Sequence, residues 1–371
     1  MKKILFLIHN LGGGGAEKVL VNLVNNMDKS KFDITVMALF DVGVNRQFLA
    51  PHIRYIGCFK HMIPGNSHFM KLLSPKALHN WLVKEHYDVE ISYLEGPAAR
   101  VVSGCTDPDT KLFCWIHSTI ATEKEFAMSF RSQREAISCY GRFEKIICVS
   151  QGIKNAFKKT SGMKQCDILY NTVESEKILK LSQEETTELD SKSKIKLVTV
   201  GTLKQVKGYD RLLSIAKRLN EDGFDFSLYI LGIGPMQAEM ESFIKSNDLL
   251  DRVVLLGYQS NPYKYVAACD LFVCSSYSEG FSTAVTEALI VGTPVCTVDV
   301  SGMKEMLGDN NEYGLVVENN EDALCEGIRA FLENDELIKH YKMQANIRGK
   351  KFSTENTVKA VQDMLTEVCG G

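Results

Sequence analysis

The chain has 371 residues, a formal net charge of −3, 45% hydrophobic and 24% charged residues. That length is too great for one ordinary compact core and predicts two domains of similar size, with a soluble globular composition. The near-neutral charge excludes a general electrostatic attraction to nucleic acid.

Eleven cysteines occur without a C-x-x-C pair. Most lie in apolar runs, such as Cys114 in LFCWIH and Cys148 in IICVS. Scattered thiols of this kind argue against a disulfide framework and for a reducing compartment. The opening run, MKKILFLIHN, stops at His9 and Asn10 with no small-residue cleavage site. It reads as a first buried strand and not as a signal peptide. No segment reaches the ~18–20 apolar residues of a membrane span. The expectation is a cytoplasmic protein, with the inner face of the cytoplasmic membrane as the surface it could touch.

In chain order, short apolar runs alternate with longer segments of helical period. The first half has runs at 3–8, 34–39, 89–94, 112–116 and 146–149. The second has them at 196–200, 227–231, 252–256, 271–275 and 294–298, with helical spacing over 208–221 and 235–246. Continuous apolar strands alternating with helices predict parallel sheets covered on both faces. The fold class is therefore α/β, with two doubly wound Rossmann-like domains. The charged stretch 174–194 has no aromatic residue and predicts a linker between an N-terminal domain, 1–173, and a C-terminal domain, 195–350. The tail, 351–371, predicts a helix capped by Ser353 or Thr354 that packs back toward the first domain. Val358, Val361, Met364, Leu365 and Val368 share one side of it.

Within the first half, NLGGGGAEKV at 10–19 follows the first strand and opens a helix. Its four glycines let a backbone approach a ligand closely. The spacing is not G-x-G-x-x-G and no ribose-binding acid follows the second strand, which disfavours a dinucleotide site. Glu17 reads as a charge favourable to the helix N-terminus. Residues 60–84 contain no Asp or Glu and interleave basic and aromatic groups with Met, Leu and Ile. They form either an ordinary helix and loop or a docking surface for an anionic membrane carrying a lipid-linked acceptor. His117 ends LFCWIH, at the carboxyl end of a strand where open α/β sheets bind ligands, and its structural and functional readings carry equal weight.

In the second half, VTVGTLKQVKGYDRLL at 198–213 reads strand, turn, helix, and Lys207 before Gly208 can reach an anion as a point charge. Gly232, Gly234 and Pro235 make a turn within 229–241. The stretch SSYSEGFSTAVTEALIVGTPV, 275–295, carries most of the chemistry. A strand ends near Ser276, Glu279 and Gly280 turn the chain, and Ser282 or Thr283 caps a helix that runs to Ile290. Free N–H groups at that helix start suit an anion. Glu287 lies one turn after Thr283 on the same face. Two carboxylates beside a phosphate site would repel phosphate but accept strongly from hydroxyls. A diphosphate flanked by two polyols, a nucleotide sugar, fits this arrangement.

EGFSTAVTE resembles the E-x7-E motif of the retaining GT-B glycosyltransferases of the family 4-like type, common in bacterial polysaccharide and lipopolysaccharide biosynthesis. The order from Gly201 to Pro294 is similar to that family block by block. The resemblance implies a GT-B fold with the active site in the cleft between its two domains. It implies that Glu279 meets the donor sugar and Glu287 the ribose, with backbone N–H groups of Phe281, Ser282 and Thr283 toward sugar hydroxyls and phosphates. Lys207 would neutralise the donor diphosphate. The family's arginine is replaced here by Thr202, which leaves Lys204 or the helix dipole to supply the second positive charge. The resemblance also implies Gly234 and residues 255–261 beside the base, and Gly14 and Gly15 over the donor phosphates. His117 would contact donor sugar or phosphate without acting as a base, and Ser150 and Asn171 would lie near the donor. The implied activity moves a hexosyl or N-acetylhexosaminyl group from a nucleoside diphosphate sugar, UDP before GDP, to a hydroxyl of a glycan or lipid-linked acceptor. It proceeds by front-face attack with no cofactor and no metal. Two alternatives stay open: a GT-B-fold sugar-nucleotide 2-epimerase, and a non-catalytic nucleotide-sugar binder, which Thr202 alone supports.

Overall fold

A computed structural model describes the chain outside residues 61–69, 190–192, 280, 301 and 370–371. Gly280 of the acidic turn, residues 190–192 of the expected linker and 61–69 of the basic–aromatic stretch therefore lie outside the described residues. The chain divides into two compact units, Met1–Val173 with Thr354–Gly371, and Glu174–Ser353.

The first unit is built on strands β1 (Lys2–Ile8), β2 (Phe32–Phe40), β3 (Arg54–Phe59), β4 (Val89–Ser92), β5 (Lys111–Ile116), β6 (Lys145–Cys148) and β7 (Asp167–Ile168). They form one sheet in the order β3-β2-β1-β4-β5-β6-β7, with every pairing parallel. Ile4 to Ile8 of β1 are all buried, as a strand covered by helices on both faces requires. The helix Gly15–Asn26 buries Val19, Leu20, Val21, Leu23 and Val24. The last helix, Thr354–Cys369, also belongs to this unit and buries Val358, Val361, Met364 and Leu365. Its Gln362 accepts a hydrogen bond from the Asp28 N–H at 2.7 Å, and its Thr354 hydroxyl donates to the Val173 carbonyl at 2.7 Å.

The second unit carries β8 (Ile195–Val200), β9 (Phe226–Leu231), β10 (Val253–Gly257), β11 (Leu271–Cys274), β12 (Val295–Val298) and β13 (Leu315–Val317). Their order is β10-β9-β8-β11-β12-β13, again parallel throughout. Leu212, Ile215, Leu228, Ile230, Val273 and Ile328 are part of its core. Within the stretch expected as a linker, Ser175–Ser182 form a helix that buries Ile178.

Three strands lack the apolar run that marks the others. β3, RYIGCF, is an edge strand whose Arg54 bonds Thr35, Glu85 and Tyr87. β7 has 2 residues and β13 has 3, too short to carry a pattern.

In both sheets the chain reverses its direction of travel at the same place. From β1 it steps outward to β2 and β3, and from β4 it steps the other way. β8 and β11 repeat this in the second unit. Such a switch point opens a crevice at the carboxyl ends of the two strands, because their crossover connections leave to opposite sides.

Candidate functional site

The second unit's switch point holds the groups that the sequence singles out. After β8 the chain makes a short 3-10 turn, Gln205–Lys207, and enters the helix Tyr209–Glu221. Gly208 makes that entry in the left-handed region, with φ 65°. A Cβ at Gly208 would lie 2.0 Å from the Ser275 carbonyl, so the turn and the strand end touch at a distance that only glycine permits. After β11 the chain passes Glu279 and enters the helix Thr283–Ile290, capped by the Ser282 hydroxyl, which accepts from the Val285 N–H.

These two connections bring Lys207 and Glu279 together. Lys207 Nζ donates to Glu279 Oε1 at 2.6 Å, and the Ser276 hydroxyl donates to the same oxygen at 2.6 Å. The carboxylate side chain is 10% exposed and the amine 32%. Lys207, Tyr209, Ser276, Glu279 and Ser282 line a cavity of ≈20 Å³, about the room of one water molecule. The first N–H groups of the helix that follows have no acceptor within their own helix, so that end offers donors to an anion.

Thr283 and Glu287 are half-buried on one face of that helix, and the Tyr263 hydroxyl donates to Glu287 Oε1 at 3.3 Å. Phe281 differs in kind: its ring is buried and meets Phe352 edge-on at 6.0 Å, so any ligand role rests on its backbone. Gly234 packs on the turn after β8, where a Cβ would come 2.4 Å from the Leu203 carbonyl. Lys204 and Thr202 are exposed, and no ion pair of Lys204 is present among the described residues. A larger concavity of this unit, ≈390 Å³, is lined by Ser182, Glu184, Thr186 and Lys264 and by none of the motif residues.

The first unit's switch point presents a second group. Gly14 and Gly15 are exposed at the start of the helix Gly15–Asn26, and a Cβ on Gly15 would meet open space. Asn45 holds the loop from behind, its N–H donating to the Leu11 carbonyl at 3.0 Å and its side-chain amide to the Gly12 carbonyl. His117 follows β5. Its N–H donates to Glu95 Oε2 at 2.9 Å and its ring lies 4.9 Å from that of Tyr93. Desolvation by burial lowers its pKa to about 3, so the imidazole is neutral. Burial also lowers the pKa of His9, which follows β1. Among the described residues, His117 Nε2 and His9 Nδ1 are both buried without a hydrogen-bond partner. An unmet buried polar atom costs about 1–3 kcal/mol, and these two follow strands of one sheet at their carboxyl ends. Ser150 caps the helix Gln151–Ser161, and Asn171 is buried.

Sequence reasoning missed Ser276, Tyr263, His9 and Glu95. His9 was available to the argument applied to His117, since both follow a strand at its carboxyl end. Among the described residues, the side chains that could surround a metal ion are His79, Glu90 and Cys105, whose ligand atoms lie within 4.8 Å of one another. His79 Nε2 already bonds both Glu90 oxygens, at 3.0 and 2.9 Å. Burial pulls the His79 pKa down, but the hydrogen bonds with Cys105 and Glu90 and the Glu90 charge outweigh it and raise it to about 10. Among the described residues no helix is long and apolar enough to cross a membrane.

The model for Glycosyltransferase Family 4 matches residues 13–177, and that for Glycosyl transferases group 1 matches residues 182–348. A Campylobacter jejuni protein, N-acetylgalactosamine-N,N'-diacetylbacillosaminyl-diphospho-undecaprenol 4-alpha-N-acetylgalactosaminyltransferase, is 30% identical over 391 residues, covering 100% of both chains. HepE of Anabaena, solved in complex with UDP and glucose, shares the fold with a TM-score of 0.76 at 19% identity, covering 99% of this chain and 100% of its own. The lipopolysaccharide outer core galactosyltransferase WaaB, in its apo form, has a TM-score of 0.74 at 18% identity, covering 98% of this chain and 99% of its own.

Proposed function

This chain belongs to the GT-B glycosyltransferases that join a family 4 segment to a group 1 segment, and from that premise we propose that it transfers a hexosyl or N-acetylhexosaminyl group, with retention, from a UDP-sugar to a hydroxyl of a lipid-linked glycan acceptor. One observation carries the reading: Lys207 Nζ lies 2.6 Å from Glu279 Oε1 at the switch point of the second sheet, beside a helix start.

When a nucleotide sugar arrives, the Lys207 amine turns to the diphosphate and Glu279 to the sugar hydroxyls. As the anomeric C–O bond breaks, the carbon gains oxocarbenium character and the diphosphate gains negative charge. Lys207 and the N–H groups of Phe281, Ser282 and Thr283 meet that charge, with Lys204 as a further cation. The acceptor hydroxyl attacks the face from which the diphosphate leaves and passes its proton to the departing phosphate oxygen. This route needs neither a pair of glycosidase carboxylates nor a metal ion. Glu287, steadied by Tyr263, holds the ribose hydroxyls, and Gly234 lies by the base. In the first unit, Gly14, Gly15 and the neutral His117 are assigned to substrate contact.

The Campylobacter relative is named for N-acetylgalactosaminyl transfer to a diphospho-undecaprenol-linked acceptor, which supports an N-acetylhexosaminyl donor and a polyprenyl diphosphate acceptor. UDP in the HepE complexes supports the base. Leu72, Trp81, Lys76 and Lys84 are exposed in the first unit, which supports contact with the anionic membrane where such an acceptor resides.

The test incubates the full chain with UDP-GalNAc, UDP-GlcNAc, UDP-Glc or UDP-Gal and a polyprenyl diphosphate-linked glycan. UDP release and the anomeric coupling of the product are read by proton NMR. An α-linked product supports the proposal. A β-linked product contradicts retention, and a new epimer of the donor formed without acceptor contradicts transfer.

A further inference from the structure

Arg211 sits inside the stretch VTVGTLKQVKGYDRLL, on the helix Tyr209–Glu221, yet it is only 4% exposed. A buried guanidinium loses its hydration and must recover those hydrogen bonds from the protein. Here it does so almost wholly on the strand end that leads to Glu279. Nε donates to the Ser275 carbonyl at 2.6 Å, Nη2 to the Ser276 carbonyl at 2.7 Å, and Nη1 to Asn319 Oδ1 at 2.8 Å. Its plane covers the Tyr277 ring, 4.4 Å from the centroid.

Two of these residues, Ser275 and Tyr277, are also fastened to the turn that carries Lys207 and to the helix start behind it. The Ser275 hydroxyl donates to the Lys207 carbonyl at 2.9 Å, the Tyr277 N–H to the Val206 carbonyl at 2.8 Å, and the Tyr277 hydroxyl to Asp210 Oδ2 at 2.9 Å. Ser276, held by Arg211 through its carbonyl, uses its hydroxyl to hold Glu279 at 2.6 Å. Arg211 therefore joins the helix behind Lys207 to the backbone in front of Glu279, two segments 64 residues apart in the chain.

We infer that Arg211 is a positioning residue of the donor site, setting the separation of the Lys207 amine and the Glu279 carboxylate by clamping two consecutive carbonyls after β11. The inference rests on the nucleotide-sugar reading above. The clamp needs a planar fork of donors, so charge alone does not replace it, and Lys in this place offers one compact ammonium where two parallel N–H groups are required. An ångström of displacement at a reacting centre is enough to slow it by about a hundredfold, which is the scale on which such a clamp matters.

The test uses the full chain with Arg211→Lys and Arg211→Met. Two readouts are taken: hydrogen–deuterium exchange of 202–210 and 275–287 without ligand, and donor KM and kcat against acceptor KM with a UDP-sugar. In both variants, exchange is expected to rise in those two segments and not across the unit. Donor KM is expected to rise about tenfold or more and kcat to fall, with acceptor KM within about twofold of wild type. Should Arg211→Met fail to fold, Arg211→Lys and Asn319→Ala carry the same two readouts. Wild-type donor KM in Arg211→Lys, or unchanged exchange in both segments, overturns the clamp. A wild-type chain that neither binds nor turns over any UDP-sugar overturns the function reading, while the ligand-free exchange still judges Arg211.

Discussion

Lys207 and Glu279 are 72 residues apart in the chain and 2.6 Å apart in space. The parallel pairing of β8 with β11 places the connection after each strand at the same edge of one sheet. The pair also states a tension. An amine suited to phosphate is held by a carboxylate that phosphate repels, and under the proposed function a nucleotide sugar separates them and gives each a new partner.

Replacing Glu279 by Gln keeps the size and the hydrogen bond from Ser276 but removes the charge. We expect kcat for transfer to fall by about a hundredfold or more, the scale for losing one preorganised group at a reacting centre. Affinity for UDP alone should hold or rise, since the competing carboxylate is gone. Steady-state rates alongside UDP titrations check both halves.

The proposed function gives Glu287 the ribose as its partner. Glu287→Ala should weaken UDP binding by about 1.5–3 kcal/mol, the range for a hydrogen bond to a charged group. The same change should leave the 2′,3′-dideoxy analogue nearly unaffected, because that ligand lacks the hydroxyls. Equal losses for both nucleotides would move Glu287 away from the ribose.

His117 has a folded-state pKa of about 3 against an ordinary value of 6.5. The neutral ring is therefore the folded form, and its contribution to stability is complete above pH 6.5 and is lost as pH falls toward 3. His117→Asn should flatten acid unfolding over that window. The wild-type transfer rate should show no titration of His117 between about pH 5 and 8; a kinetic pKa in that range that vanishes in His117→Asn would contradict the neutral ring.

The buried His79–Glu90 pair runs in the opposite sense. With a folded pKa raised to about 10, His79 stabilises the first unit fully below pH 6.5 and loses that contribution as pH rises toward 10. His79→Ala leaves Glu90, 2% exposed, without its ion-pair partner. Thermal and denaturant unfolding should report a loss of about 3–5 kcal/mol near neutral pH.

The apolar runs located ten of the thirteen described strands: nine lie inside the sheets, where a strand covered on both faces is apolar throughout, and the edge strand β10 keeps the run VVLLG. β3 escaped because an edge strand is half-buried and can seat Arg54, and β7 and β13 because so few residues carry no period. The helix Ser175–Ser182 escaped because charged residues surround Ile178 on an exposed surface. At the site, the amine of Lys207 before Gly208 and a cap at Ser282 or Thr283 were legible from turn and cap chemistry, which is local, and the resemblance to the E-x7-E motif singled out Glu279. Tyr263 and Arg211 were not, because their partners lie 24 and 64 residues away, and Ser276 was not, because only the folded turn brings its hydroxyl onto Glu279: Arg211 in sequence is one more cation on an amphipathic helix.

The most direct measurement of the central claim is calorimetric titration of UDP into the wild-type chain and into Lys207→Ala. Saturable binding to wild type is expected, with a loss of about tenfold or more in affinity in the variant, as one charge-assisted bond to phosphate is removed. Equal affinity in the two chains, with both folded, would mean that the diphosphate is held elsewhere and would contradict that claim.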